Sequence, residues 1–417
     1  MAANDMFAAS VAEKLQQAKA TCELLAKRYT CVVANPPYMG SSSFSPFMSK
    51  WVKKNYPDVK SDLCTCFIER GFALAINRGY AAMVTMQSWM FLGSFEKMRA
   101  ALIDNRTIVS MVHLGPRAFD AIGGEVVNVT ADVIYNGHAC LNGAYVRLVD
   151  TNGSEAKRQK LLEAIKNPDC GWFYRRDADT FKQIPGTPIA YWASDGLFRA
   201  FECGAKVADS ATALVGIQTG DNSRFLRLWW EPSLKDEFFN CPSLEDCIKS
   251  GLKWFPYNKG GDFRKWFGNN DYLILFEKGG KQIFTGENPK THHVQQMADE
   301  YKFRASITWS KISSGLIAFR YKPVGHLFDI AGTSIISDED VLLFLQGACN
   351  SSVISQVAKL LSPTLNYEAG QIATYPVIDS EEKHKSVDGL VVDCRALSKT
   401  DWDSFETSWD FKRHPLL

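Results

Sequence analysis

Asn35-Pro36-Pro37-Tyr38 is a run whose residue types can hold a weakly nucleophilic amine ready for reaction. The exocyclic amine of a base delocalises its lone pair into the ring. A catalyst must therefore accept both amine hydrogens and leave the lone pair facing a methyl donor. Asn35 and the Pro36 carbonyl supply two acceptors, the paired prolines stiffen the loop, and Tyr38 offers a ring on which a base turned out of a duplex can stack. This chemistry needs no general base of unusual pKa. The plain alternative is a proline-terminated turn, which many Asn-Pro and Pro-Pro pairs are. Context favours chemistry: a compact β-favouring run, residues 30–34, stops abruptly at Asn35, so the loop sits at a strand's carboxyl end.

The elements that must position this loop follow from hydrophobic spacing. Residues 5–28 carry Phe7, Val11, Leu15, Leu24 and Leu25 at helical intervals without Gly or Pro, and predict a helix. Residues 62–77 and 94–104 read as helices, and 80–86 and 107–113 as buried strands; this alternation predicts a parallel α/β sheet. Strands at 126–135 and 144–149 have no helix between them and suit an antiparallel pair at the sheet's edge. After a charged helix at 154–166 the pattern becomes irregular and dense in Trp, Tyr, Asn, Gly and Lys. The boundary is placed at residue 150, with domains 1–150 and 151–417. The predicted fold is α/β: a partial Rossmann-like sheet, then a mixed α+β domain.

The second region carries groups suited to nucleic acid. Residues 253–270 interleave Lys253, Lys259, Arg264 and Lys265 with Trp254, Tyr257 and Trp266, and add Asn258, Asn269 and Asn270. Cations engage phosphates, amides pair with adenine edges, and rings stack or wedge. Arg224 and Arg227 beside a glycine-rich turn form a second candidate surface, and Ser313, Ser314, Arg320 and Lys322 a third. For any one of these residues, a place in the core or on a solvated face is the simpler reading; the cluster carries the argument.

Composition bounds the rest. The 417 residues contain 47 Lys and Arg against 46 Asp and Glu, so no global basic field marks a nucleic-acid partner, and any DNA face is a local patch. The longest apolar runs, such as 72–76 and 341–345, are too short to span a bilayer, and residues 1–19 do not resemble a secretory signal, so a cytoplasmic location is expected. Eleven cysteines without a Cys-x-x-Cys pair read as reduced, mostly buried thiols. Adjacent His292 and His293 lack an acidic or cysteine partner at ligand spacing, so no metal is expected. Nor does Pro168-Asp169, followed by Asp179-Thr180-Phe181-Lys182, have the spacing of a nuclease.

Six segments carry a family resemblance: 33–40 (VANPPYMG), 87–106 (QSWMFLGSFEKMRAALIDNR), 216–225 (GIQTGDNSRF), 253–270 (KWFPYNKGGDFRKWFGNN), 307–321 (ITWSKISSGLIAFRY) and 362–377 (SPTLNYEAGQIATYPV). Through them nearly the whole chain resembles the C-terminal portion of the adenine-specific methyltransferases of BREX phage-defence systems, relatives of fused restriction-methylation enzymes. The resemblance implies S-adenosylmethionine as methyl donor, double-stranded DNA as substrate, a target-recognition region after the catalytic domain, and a role in marking host DNA. Such enzymes bind the cofactor through a glycine-rich turn upstream of the loop, whereas the 34 residues before Asn35 contain no glycine. Among later pairs, Gly123-Gly124, Gly260-Gly261 and Gly279-Gly280, none opens an apparent helix after a buried strand. The expectation is a portion of the enzyme that takes its cofactor-binding residues from an N-terminal segment or another defence-system protein. A DNA- or partner-binding module with a relict loop is the alternative.

Overall fold

The computed structural model describes residues 2–119, 127–285, 293–313, 315–362 and 366–417, which form two compact units, Met1–Phe198 and Arg199–Leu417. Ser314, His292 and the Gly123-Gly124 pair lie outside the described residues.

In the first unit, α1 (Ala2–Ala26) leads into β1 (Tyr29–Ala34), and α2 (Pro46–Asn55) and α3 (Leu63–Leu74) precede β2 (Ala75–Met86). Then come α4 (Glu96–Asn105), β3 (Thr107–Gly115), β4 (Val129–Tyr135), β5 (Asn142–Arg147), α5 (Ser154–Lys166) and β6 (Phe173–Asp177). The strands form one sheet in the order β1-β2-β4-β3-β5-β6. β1 runs parallel to β2 and β3 to β5, while β4 is antiparallel to both β2 and β3 and β6 is antiparallel to β5. The sheet is therefore mixed: β1, β2 and β3 run in the same direction, as expected of the strands that alternate with helices, and an antiparallel strand stands among them. β4 lies between β2 and β3 rather than pairing with β5 at an edge. Its Val129, Thr130, Asp132 and Ile134 are all buried, as a central strand requires.

Side chains distant in sequence set the local boundaries. The Asn136 amide donates to the carbonyls of Phe72, Ala75 and Ile76 at 3.3, 3.3 and 3.1 Å, closing α3 at Leu74 and letting β2 begin at once. At the other end of α3 the Asp62 carboxylate accepts from Cys64 N at 2.9 Å, an N-cap interaction of about 1 kcal/mol. Gly71 faces Met83, whose Cε lies 2.3 Å from where a Cβ would stand, so a larger residue there would make the end of the flexible Met83 side chain shift. The sheet also continues past residue 150. β6 pairs with β5, and Phe181, Ile184, Ile189 and Tyr191 are buried, with the Tyr191 ring stacked 4.7 Å from Tyr145.

Among its described residues the second unit contains two four-stranded sheets and a two-stranded one. In the first, Trp254–Asn258 is flanked by Tyr272–Leu275 and Leu327–Phe328, with Leu226–Leu228 outermost. The other joins Arg320–Lys322, Ser306–Thr308, Ser334–Ile336 and Thr212–Leu214. Phe255, Phe276, Phe303, Leu327 and Ile283 meet in a core around the first sheet. Glu339–Asn350 and Glu381–Trp402 pack together as helices.

Five cysteines are buried (Cys64, Cys66, Cys241, Cys247, Cys349), but Cys22, Cys31, Cys140 and Cys203 are exposed, fewer buried than expected. Among the described residues no single helix is long and apolar enough to cross a membrane; the consecutive pair Glu339–Asn350 and Ser352–Leu361 passes only jointly, bends by 73°, and contains many buried residues.

Candidate functional site

Asn35 follows the last residue of β1, at the carboxyl end of a strand that pairs in parallel with β2. Asn35 and Pro37 are exposed, Pro36 is buried and Tyr38 is half-buried, so the loop is anchored at one proline and open at the side chain that would meet a base. The Tyr38 hydroxyl lies 3.2 Å from both Asn35 Oδ1 and Val84 O and shares its one proton between them. That length is long for an O–H···O bond, and the contact is weak. Burial pushes the Tyr38 hydroxyl above its ordinary pKa, and neighbouring Cys64 adds to the rise, so the group stays protonated and acts as a donor. Burial likewise raises the Cys64 thiol, which makes it a neutral wall of the site rather than a nucleophile.

Two further polar groups stand where strands of this sheet end. Gln87 follows β2 directly, and its Oε1 lies 2.7 Å from His113 Nε2; His113 Nδ1 lies 2.9 Å from the Tyr191 hydroxyl. Burial, reinforced by Arg147 and Lys157, pushes the imidazole down to about 3, so it is neutral. The neutral tautomer that satisfies all three groups takes the Tyr191 proton at Nδ1 and donates from Nε2 to Gln87, orienting the Gln87 side chain. Sequence reasoning missed this pair because Gln87, His113 and Tyr191 are far apart in the chain. The position of Gln87 directly after a strand was the available signal.

The expected DNA contacts divide sharply by burial. Tyr257 is 1% exposed and its hydroxyl lies 2.7 Å from Ile217 O and Asp329 Oδ2. Asn258, also 1% exposed, donates to Thr308 Oγ1 at 2.5 Å and Gly332 O at 2.8 Å. Arg320 donates to Ser310 Oγ at 3.1 Å, and burial lowers its guanidinium to about 10. Lys322 donates to Gly268 O at 2.9 Å, Asn269 O at 3.0 Å and Asn270 Oδ1, and burial holds its ammonium well below the usual range. These four side chains are buried inside the unit rather than at the surface where they were expected, and most of their polar atoms are hydrogen-bonded there, although Asn258 Oδ1 and Arg320 Nε have no partner among the described residues.

The remaining cations reach the surface to different degrees. Arg224 is exposed, its guanidinium over the Phe225 ring at 5.0 Å. Arg227 is half-buried and donates to Ser223 O at 2.8 Å, while Lys253 is exposed and lies 3.8 Å from Asp236. Lys259 pairs with Asp329 at 3.1 Å, Arg264 with Asp401 at 2.8 Å, and Lys265 donates to Asn350 O at 2.8 Å. Ser313 is half-buried and its hydroxyl accepts from Gly315 N at 3.3 Å.

The described glycine pairs do not form a cofactor cradle. A Cβ on Gly260 would meet Ala331 O at 2.8 Å, one on Gly261 would meet Asn269 Nδ2 at 2.8 Å, and Gly279 and Gly280 face Leu244 and Phe276. Protein atoms already fill the space that a ligand would need.

Comparison with known proteins places this geometry in context. Residues 4–119 match the family model of the Eco57I restriction-modification methylase. The chain is 39% identical over 400 residues to the adenine-specific methyltransferase PglX of Lacticaseibacillus casei (strain Zhang), covering 94% of this chain and 33% of that protein. It is 37% identical over 427 residues to the adenine-specific methyltransferase BrxX of Escherichia coli O9:H4 (strain HS), covering 99% and 33%. The chain thus spans about a third of the length of these relatives, and the resemblance read from its motifs stands. Among solved structures, the Type IIL restriction-modification enzyme MmeI in complex with DNA superposes with a TM-score of 0.55 at 11% identity, covering 91% of this chain and 50% of that one. A nuclease-deletion mutant of the Type ISP enzyme LlaGI, in complex with a DNA substrate mimic, gives 0.51 at 13% identity, covering 92% and 42%. At these identities the structural likeness concerns the fold.

Proposed function

We propose that this chain, related to one third of the adenine-specific methyltransferases PglX and BrxX, is the adenine-holding and DNA-recognising portion of a site-specific adenine-N6 DNA methyltransferase that marks host DNA in phage defence. The observation that carries this reading is the Asn35 loop. Asn35 is exposed at the carboxyl end of β1, and its Oδ1 is engaged by a weak 3.2 Å contact from Tyr38, which an adenine amine can replace. In the occupied site one amine hydrogen donates to Asn35 Oδ1 and the other to Pro36 O. The Tyr38 hydroxyl keeps Val84 O, and its ring stacks on the base. Holding both hydrogens in the plane of the base leaves the nitrogen lone pair facing out of it, where a methyl group must arrive.

S-adenosylmethionine is the methyl donor in this reading, and the residues that hold it come from outside the described ones. The open edge of β1 supports that division. Among the described residues β1 bonds to β2 on one side only, Val33 is 78% exposed, and Leu15, Leu24 and Leu25 of the preceding helix are more than half exposed. An unpaired strand edge beside exposed apolar side chains suits further strands of the same sheet. The mixed sheet is then the carboxyl half of a Rossmann-like methyltransferase sheet without its cofactor-binding strands. Within residues 151–417, the second unit from Arg199 holds the target-recognition region, with Arg224, Arg227, Lys253, Lys259, Arg264, Lys265 and Ser313 as its candidate contacts to duplex DNA.

A second reading, a DNA- or partner-binding module without catalysis, draws on the same exposed edge, which would then seat a defence-complex partner. Adding the amino-terminal segment of a longer relative separates the two: methyl transfer supports the first reading, and stable binding without transfer supports the second.

A further inference from the structure

The chain leaves the Asn35 loop at Met39 and returns to it at Leu63. Leu63 N–H donates to Met39 O at 2.9 Å, Ser41 N–H donates to Ser61 O at 2.9 Å, and Gly40 bridges to Asp62. Residues 41–61 are therefore an excursion whose base is pinned within two residues of Tyr38. Its main element is α2, started by Ser45, whose hydroxyl accepts from Met48 N at 3.2 Å, and by Pro46 in the first turn.

α2 buries only Val52 and turns a different face to solvent. Phe47, Lys50, Trp51 and Lys54 recur at i, i+3, i+4 and i+7, which is one face of a helix. Phe47 is 80% exposed and Trp51 49%, so two large rings gain little from the fold that presents them. Residues 41–61 hold four lysines (Lys50, Lys53, Lys54, Lys60) against one carboxylate, Asp58, and Asp58 lies near Lys97 at 4.0 Å. Among the described residues Lys50 and Lys54 form no ion pair. Solvated cations alternating with rings, on a helix tied to the base-holding loop, complement a polyanion with stackable faces better than they complement an apolar protein segment.

We infer that this face of α2 seats on the duplex beside the extruded adenine, with Lys50 and Lys54 on backbone phosphates and Phe47 and Trp51 against the bases bordering the vacated position. The inference rests on the adenine reading of the Asn35 loop. It adds a DNA contact from the catalytic unit to those expected from the recognition region.

Fluorescence anisotropy of a labelled duplex with the full chain, titrated between about 50 and about 250 mM salt, tests it. The double substitution Lys50→Gln/Lys54→Gln should lower the slope of log affinity against log salt by about two. Phe47→Ala/Trp51→Ala should weaken binding roughly tenfold at fixed salt with the slope kept. All four side chains are exposed, and unchanged circular dichroism confirms that the variants fold. Wild-type slope and affinity in both variants would overturn the inference while leaving the adenine reading intact, because that reading is decided by methyl transfer and Asn35. Intact DNA binding together with lost capture of an amino-terminal segment from a longer relative would make the face a protein seat and also overturn it.

Discussion

The Tyr38 hydroxyl stands 3.2 Å from Asn35 Oδ1, on the acceptor that an adenine amine would use, and equally 3.2 Å from Val84 O. The loop thus fills its own acceptor when no base is present, through a contact weak enough to yield.

Tyr38→Phe removes this contact but keeps the ring. In the enzyme completed by an amino-terminal segment, methylation by Tyr38→Phe should stay within about threefold of wild type. Tyr38→Ala should raise KM about tenfold or more through lost stacking. Steady-state kinetics on duplex DNA distinguishes them; equal losses in both variants would mean that the hydroxyl, not the ring, holds the base.

Lys322 and Lys253 should behave oppositely although both are lysines in the same unit. Lys322→Ala strands the carbonyls of Gly268 and Asn269 in the interior and should cost about 3 kcal/mol, read as a lowered urea midpoint. Exposed Lys253→Ala should change stability by less than about 0.5 kcal/mol and reduce the salt slope of DNA binding by about one. A stable Lys322→Ala protein with weakened DNA binding would return Lys322 to the surface.

Asp132 is buried beside Met83 and Met111 on neighbouring strands, its Oδ1 has no partner among the described residues, and burial pushes its carboxyl up to about 8 from 3.8. Between those values the folded state keeps a proton that the unfolded state has released. Its contribution to stability therefore falls as pH rises through the window, by up to about 1.4 kcal/mol per unit, and is level below it. Asp132→Asn should remove this fall, so the variant gains on wild type between pH 5 and 8 in urea unfolding. Parallel pH profiles would show that Asp132 is ionised in the folded protein.

Much of the first unit was legible because its signals are local. The 154–166 helix matches α5, and the strand before Asn35 matches β1 to within a residue. The end of α3 was not legible, since the Asn136 amide that closes it lies some 60 residues downstream. Nor was the central place of β4, because an alternating strand reads alike at an edge and inside a mixed sheet. In the second unit, Arg320 and Lys322 alternate with Tyr321 as a surface strand would, yet the pair faces inward. The carbonyls that accept from Lys322 belong to residues more than 50 positions earlier. Charge in a strand pattern predicts exposure only when no such acceptors wait in the interior. The place of the Asn35 loop directly after β1 was legible because its signal is contained in four consecutive residues.

Transfer of a radiolabelled methyl group from S-adenosylmethionine to duplex DNA tests the central claim most directly, using residues 1–417 alone, with the amino-terminal segment of a longer relative, and with that segment plus Asn35→Ala. The account predicts no transfer by the chain alone, transfer once the segment is added, and a loss of about a hundredfold or more on replacing Asn35 while DNA binding is kept. Turnover by the isolated chain, or near-normal methylation by the Asn35→Ala complex, would contradict it.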